Sequence, residues 1–135
     1  MSPTNLQVIS AETILYEDDV DIVVCPGVEG ELGVLPQHAP IFTLLQPGEI
    51  RIKKGEQQES IFVTGGFLQI TQEKVVVLAD AGEQAQDIDE DRATRAKGRA
   101  EERLNQKDPD TDVPRAENAL RRSVTRLRVA ERNKR

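Results

Sequence analysis

The residues best equipped for chemistry in this chain of 135 are the arginines of its last third. On an ideal helix, turning roughly 100° per residue, Arg115, Arg122 and Arg126 fall on one side, and Arg121, Arg128 and Arg132 form a second row. Upstream, Arg92 and Arg99 share a helix face beside Ala93 and Ala96. The planar guanidinium fork grips carboxylates and phosphates with two parallel hydrogen bonds. From Val113 onward 8 basic residues face only 2 acidic ones, Glu117 and Glu131. A solvated helix face normally answers its cations with local carboxylates. Positive charge left unanswered at this density points to an acidic partner.

Other chemistries find no foothold. His38 is the only histidine and sits in a Pro-rich loop, with no nucleophile or orienting partner in sight for base catalysis. Cys25 is the only cysteine; flanked by Val23, Val24 and Pro26, it reads as the end of a buried strand rather than a reactive thiol. One Cys and one His are too few for a zinc site. Thr64-Gly65-Gly66 is not a phosphate-cradling loop, because no GxxxxGK[ST] run stands anywhere. Gly27, Gly30 and Gly33 lead to no long helix, so a dinucleotide fingerprint fails as well. There is no apolar run long enough to span a membrane and no signal-peptide pattern, so the chain is expected to remain where it is made.

The elements that position these residues change character near residue 86. Residues 1–86 carry 4 Lys+Arg against 13 Asp+Glu, while residues 87–135 carry 14 against 11. The first part reads as short strands broken by Gly and Pro. A hairpin is expected at residues 5–10 and 13–16, and a strand at 20–25 that turns wholly apolar as it enters a core. Residues 27–40 form a shaped loop, in which Gly27, Gly30 and Gly33 permit positive φ and a short strand fits at 32–35. Further strands are expected at 41–45, 49–53 and 60–64, and a last hairpin pairs 66–71 with 74–79. The sum is an antiparallel β-sandwich or flattened barrel, residues 1–86.

The second part, residues 87–135, reads as an antiparallel two-helix hairpin, making the fold α+β. Asp87 is the expected N-cap, with Glu90 completing a capping box. Ala93, Ala96, Ala100 and Leu104 share one face. Asp108-Pro109-Asp110 breaks the helix, Asp112 caps the next, and Val113, Ala116, Leu120, Val124 and Leu127 form its apolar stripe. Such small side chains make a thin interface. Two readings remain open: a hairpin that a partner can displace, and an appendage that stays docked.

Four segments carry a family resemblance: LGVLPQHAP at residues 32–40, LQPGEIRI at 45–52, TGGFLQITQEKVVVLAD at 64–80 and IDEDRA at 88–93. Together they resemble the epsilon subunit of F-type ATP synthases, a resemblance that covers nearly the whole chain. The resemblance implies a non-catalytic subunit whose β-sandwich binds the gamma subunit and rests on the c-ring. It implies a helical hairpin that can extend and inhibit ATP hydrolysis near the acidic loops of the beta subunits. Arg115, Arg121, Arg122, Arg126, Arg128 and Arg132 would make that beta-subunit contact. By motif position Glu31 and His38 would lie on the loop facing the stalk base. For Glu31 a c-ring contact and a solvated turn residue are both open, and His38 is read as shaping its loop. Some bacterial members bind ATP on the folded hairpin; the matching positions are Glu83, Ile88, Asp89, Arg92, Ala93, Arg99, Arg122 and Arg126, with no other cofactor implied. Arg122 and Arg126 point away from the expected apolar stripe and flank Ala119 and Ala130. The competing class is an adaptor that binds nucleic acid or an acidic protein through the Arg-rich helix. A net charge of −6 and helices without stacking aromatics weigh against nucleic acid.

Overall fold

The computed structural model describes residues 4–34, 40–106 and 108–132. Its strands are β1 (Thr4–Ile9), β2 (Ile14–Val20), β3 (Ile22–Gly27), β4 (Gly30–Val34), β5 (Ile41–Leu45), β6 (Gly48–Lys54), β7 (Gln57–Val63), β8 (Gly66–Ile70), β9 (Lys74–Ala79) and β10 (Gly82–Gln84). A 3-10 turn (Ala85–Asp87) leads to helices α1 (Glu90–Asn105) and α2 (Val113–Arg132). The strand order is β10-β7-β6-β3-β5-β8-β9-β1-β2, with β4 paired to β3. Every pairing is antiparallel except β1 with β9, which is parallel. That exception is possible because the long intervening chain can return to the same end of the sheet. The sheet curls until its two end strands approach, and Gln84 Nε2 donates to the Leu15 carbonyl across the gap.

Period-two alternation builds the interior. Leu6 and Val8, Ile50 and Ile52, Leu68 and Ile70, and Val75 and Val77 all enter one core, joined by Val23, Cys25, Ile61 and Val63. Burial pushes the Cys25 thiol up to about 12, so the group is inert packing, as expected from its neighbours. The β8–β9 crossing needs Gly66, whose φ is +141°; a Cβ there would stand 2.1 Å from the Leu78 carbonyl oxygen. The strands expected at 41–45 and 74–79 are found with those bounds. Of Gly27, Gly30 and Gly33 only Gly30 has positive φ, because the expected loop is largely a β3–β4 hairpin in which Gly27 and Gly33 are strand residues.

The helical half departs from expectation in two places. Asp89, not Asp87, caps α1, accepting from the Arg92 amide at 3.0 Å. The chain stays extended at Ile88 so that this side chain can be buried, which delays the helix by two residues and removes the capping box. Along α1, Ala93 and Ala100 are buried and Ala96 and Leu104 half-buried, as their spacing requires. Asp112 caps α2 through the Arg115 amide at 3.1 Å. The expected α2 stripe is only partly right. Val113 is exposed, Leu120, Val124 and Leu127 are half-buried, and the fully buried positions are Ala116, Ser123, Thr125, Val129 and Ala130. The reason is that α2 packs on two sides at once, against α1 and against β6, β7 and the 3-10 turn.

Candidate functional site: the seat of the second helix

Three neighbouring strands supply the seat. Glu49 of β6 pairs with Phe62 of β7, and Phe62 pairs with Glu83 of β10. Directly opposed residues share a sheet face, and Ile50, Ile61 and Val63 alternate into the core, so Glu49, Phe62 and Glu83 form a row on the outer face. Phe62 is fully buried there, in a second apolar cluster with Ala85, Ile88, Val129 and Ala130.

The helix answers that row with two arginines. Arg126 Nε donates to Glu83 Oε1 at 2.7 Å, and its guanidinium carbon stands 4.5 Å from the Phe62 ring centroid. Both partners are about one-third exposed, so the ion pair and the ring contact together contribute on the order of 1–2 kcal/mol. Arg132 Nε lies 2.6 Å from Glu49 Oε2, but its N–H is not aimed at that oxygen, which makes no hydrogen bond. The contact is Coulombic rather than directed. The Glu49 side chain is 6% exposed and that of Arg132 is 40% exposed.

This divides the six arginines expected to face an acidic partner. Arg115, Arg121 and Arg128 are exposed and Arg122 is half-buried, whereas Arg126 and Arg132 are held by carboxylates of the sheet. The positive charge of α2 is therefore not wholly unanswered; part of the answer comes from the acidic body. The expected ATP positions separate as well. Glu83, Ile88 and Arg126 meet beside Phe62, and Ala93 is buried on α1. Asp89 serves its own helix cap, and Arg92 and Arg99 stand exposed on α1. Arg126 lies off the expected stripe because of the second packing side of α2: the residue faces the sheet rather than the α1 seam. Glu31, on β4, is paired with Arg51 at 2.7 Å in an exposed ion pair. His38 lies outside the described residues.

Phe62 and Glu49 escaped the sequence reading. Phe62 could have been found, because an aromatic between two core residues of one strand must face outward. Glu49 offers no comparable signal.

A second surface is apolar and bare. Leu44 of β5, Phe67 of β8, Leu78 of β9 and Ile9 of β1 oppose one another in turn across four adjacent strands, each next to a core residue and so directed outward. Phe42 stacks on Phe67 with ring centroids 5.6 Å apart. Leu44, Phe67, Leu78 and Phe42 are 41–65% exposed. A contiguous apolar band of this kind marks an interaction surface.

A curled sheet with a helical pair docked on one outer face and an open apolar band on another defines a chain made to be held by larger partners. The chain belongs to the ATP synthase delta/epsilon family: residues 3–85 match its beta-sandwich domain and residues 86–131 its long alpha-helix domain. It is 44% identical over 126 residues to an ATP synthase epsilon chain of Desulforamulus reducens, covering 93% of this chain and 96% of the relative. It is also 44% identical over 135 residues to one from Dehalococcoides mccartyi, covering 99% and 96%. Epsilon chains are subunits of a larger enzyme without catalytic chemistry of their own. In fold it resembles a chain in the Euglena gracilis mitochondrial ATP synthase F1/c-ring assembly, with a TM-score of 0.78 at 19% identity, covering all of this chain and 83% of that one. A chain of the Tetrahymena thermophila central stalk and c-ring gives 0.54 at 11% identity, covering 98% and 97%.

Proposed function

We propose that the chain is a central-stalk subunit of a proton-translocating ATP synthase, coupling rotation to ATP synthesis and restraining ATP hydrolysis through a helical arm that leaves the sheet. The observation that carries this reading is the thinness of the seat under α2. A helix of 20 residues is held to the sheet by a five-residue apolar cluster and two ion pairs. A contact this small can be displaced by a partner.

In this role the apolar band takes the gamma subunit, and the end of the body carrying Glu31 rests on the c-ring, a contact that motif position extends to His38. On extension Arg115, Arg121, Arg122, Arg126, Arg128 and Arg132 meet the acidic loops of the beta subunits. The assemblies named for the two structural neighbours, F1/c-ring and central stalk/c-ring, support such partners. No helix of the described residues is long and apolar enough to cross a membrane. Attachment to the cytoplasmic face of the energy-transducing membrane would run through the complex.

ATP is the proposed regulatory ligand of the closed arm, with Glu83, Ile88, Asp89, Arg92, Ala93, Arg99, Arg122 and Arg126 as its contacts. To bind a phosphate, Arg126 must exchange or share its Glu83 partner. ATP at a hundredfold its Kd would favour the closed form by about 2.7 kcal/mol. That is comparable to what the two ion pairs and the ring contact supply, so nucleotide could set the arm's position.

The test is deletion of residues 113–135 in the reconstituted complex. ATP hydrolysis is expected to rise severalfold with assembly intact. An unchanged rate would remove the restraining role.

A further inference from the structure

The two ion pairs of α2 are not equivalent, and the difference lies in what happens when each is broken. Glu83 and Arg126 are both about one-third exposed, so either can be rehydrated in place. Glu49 cannot. Its neighbours Gly48 and Ile50 are buried, it stands on the outer face beside Phe62, and its Oε2 has no hydrogen bond. Among the described residues the only cation against it is Arg132, at the C-terminal edge of the described part of α2. A carboxylate hidden from water without a partner is far costlier than one that is paired.

We propose that Glu49 and Arg132 form a conditional catch for the arm: Arg132 permits α2 to cover Glu49, and loss of Arg132 makes the covered carboxylate drive α2 off the sheet. This rests on the reading of α2 as a detachable arm. Glu49 is the release element and Arg132 the catch. Attraction alone would make the two residues equally important. Here removing the base leaves a charge that must regain water, which it can do only if the helix departs. Removing the acid leaves Arg132 free to turn into solvent, where 40% of its side chain already lies.

The arrangement also links capture to release. An acidic surface that draws Arg132 away does more than compete for one ion pair. It exposes the desolvation penalty of Glu49, and the end of α2 comes away with the arginine. Arg132 is well placed to be reached, because its side chain is partly open to solvent.

The test uses the isolated full chain, with spin labels on Glu56→Cys and Asn118→Cys, both exposed positions, while Cys25 is too buried to label. Pulsed dipolar distances give the open and closed populations. Arg132→Ala is expected to raise the open-to-closed ratio by at least about tenfold. Glu49→Gln alone should stay within about threefold of the parent. The double variant E49Q/R132A should return to within about threefold of the parent, because no covered charge remains. A population in R132A equal to the parent's, or a double variant as open as R132A, would overturn the catch. Phe62→Ala serves as the reference for release by another route. If F62A opens and R132A does not, the catch is wrong while the arm is still mobile. If neither opens, the detachable arm fails and the catch with it.

Discussion

The sheet has two outer surfaces built on different plans. The seat on β6, β7 and β10 has one aromatic, Phe62, between two carboxylates, and the chain covers it with its own helix. The band on β5, β8, β9 and β1 has Phe42, Phe67, Leu44 and Leu78 with no described element of the chain over them. On the proposed function, the difference would separate a reversible contact from a lasting one. Apolar area gives adhesion that salt and competing ions barely touch, as expected where a subunit must stay attached. A small cluster ringed by charge gives a contact that an ionic or nucleotide partner can undo.

The largest effect expected from this contrast comes from charging the band. Leu44→Asp with Phe67→Asp places two carboxylates at its centre without touching the core positions Leu45 and Leu68. Capture by the gamma subunit should weaken at least about a hundredfold, as for loss of a central apolar anchor. The thermal midpoint of the isolated chain should stay close to the parent's. Undiminished capture would mean that gamma binds elsewhere, and the two surfaces would lose their assigned roles.

The next effect belongs to the seat. Phe62→Ala removes the centre of the second cluster and the ring under Arg126, at about 3 kcal/mol for a buried aromatic. The core is a separate cluster, so the loss should fall on arm docking. Hydrogen exchange in α2 should accelerate by roughly a hundredfold while the amides of β8 and β9 keep their protection. Exchange that quickens equally in both places would show that the seat and the core are one cooperative unit.

Both surfaces were unevenly legible in the sequence. The bounds of β5 and β9 can be read directly, because alternation and flanking turn residues state them locally. β10 has no such pattern in Gly82-Glu83-Gln84; it exists because it pairs with β7. Asp87 and Asp89 are equally good caps on paper, and the burial of Ile88 decides between them. The α2 stripe is half right because one hydrophobic face was expected where the helix fills two seams. Arg126 was legible as a cation off the apolar stripe of α2, but the carboxylate that holds it lies 43 residues away on a strand the sequence did not reveal. What could be read was local and periodic. What could not was set by which distant strand lay beneath the helix.

The smallest effect concerns ATP and asks whether the seat also contributes to a ligand site. Arg122→Ala with Arg126→Ala should weaken ATP binding to the isolated chain by about tenfold or more in calorimetry. Two causes must be separated, because losing Arg126 also loosens the arm through Glu83 and Phe62. A binding-competent closed form that is less populated raises the apparent Kd in proportion. Arg132→Ala supplies the control, since loss of Arg132 is expected to open the arm and Arg132 is not among the proposed ATP contacts. Equal weakening by R132A and by the double variant would assign the whole effect to arm position and remove Arg122 and Arg126 as phosphate ligands. Weakening by the double variant beyond what its own open population explains would leave direct contact as the cause, and the seat would then hold helix and nucleotide through the same guanidinium.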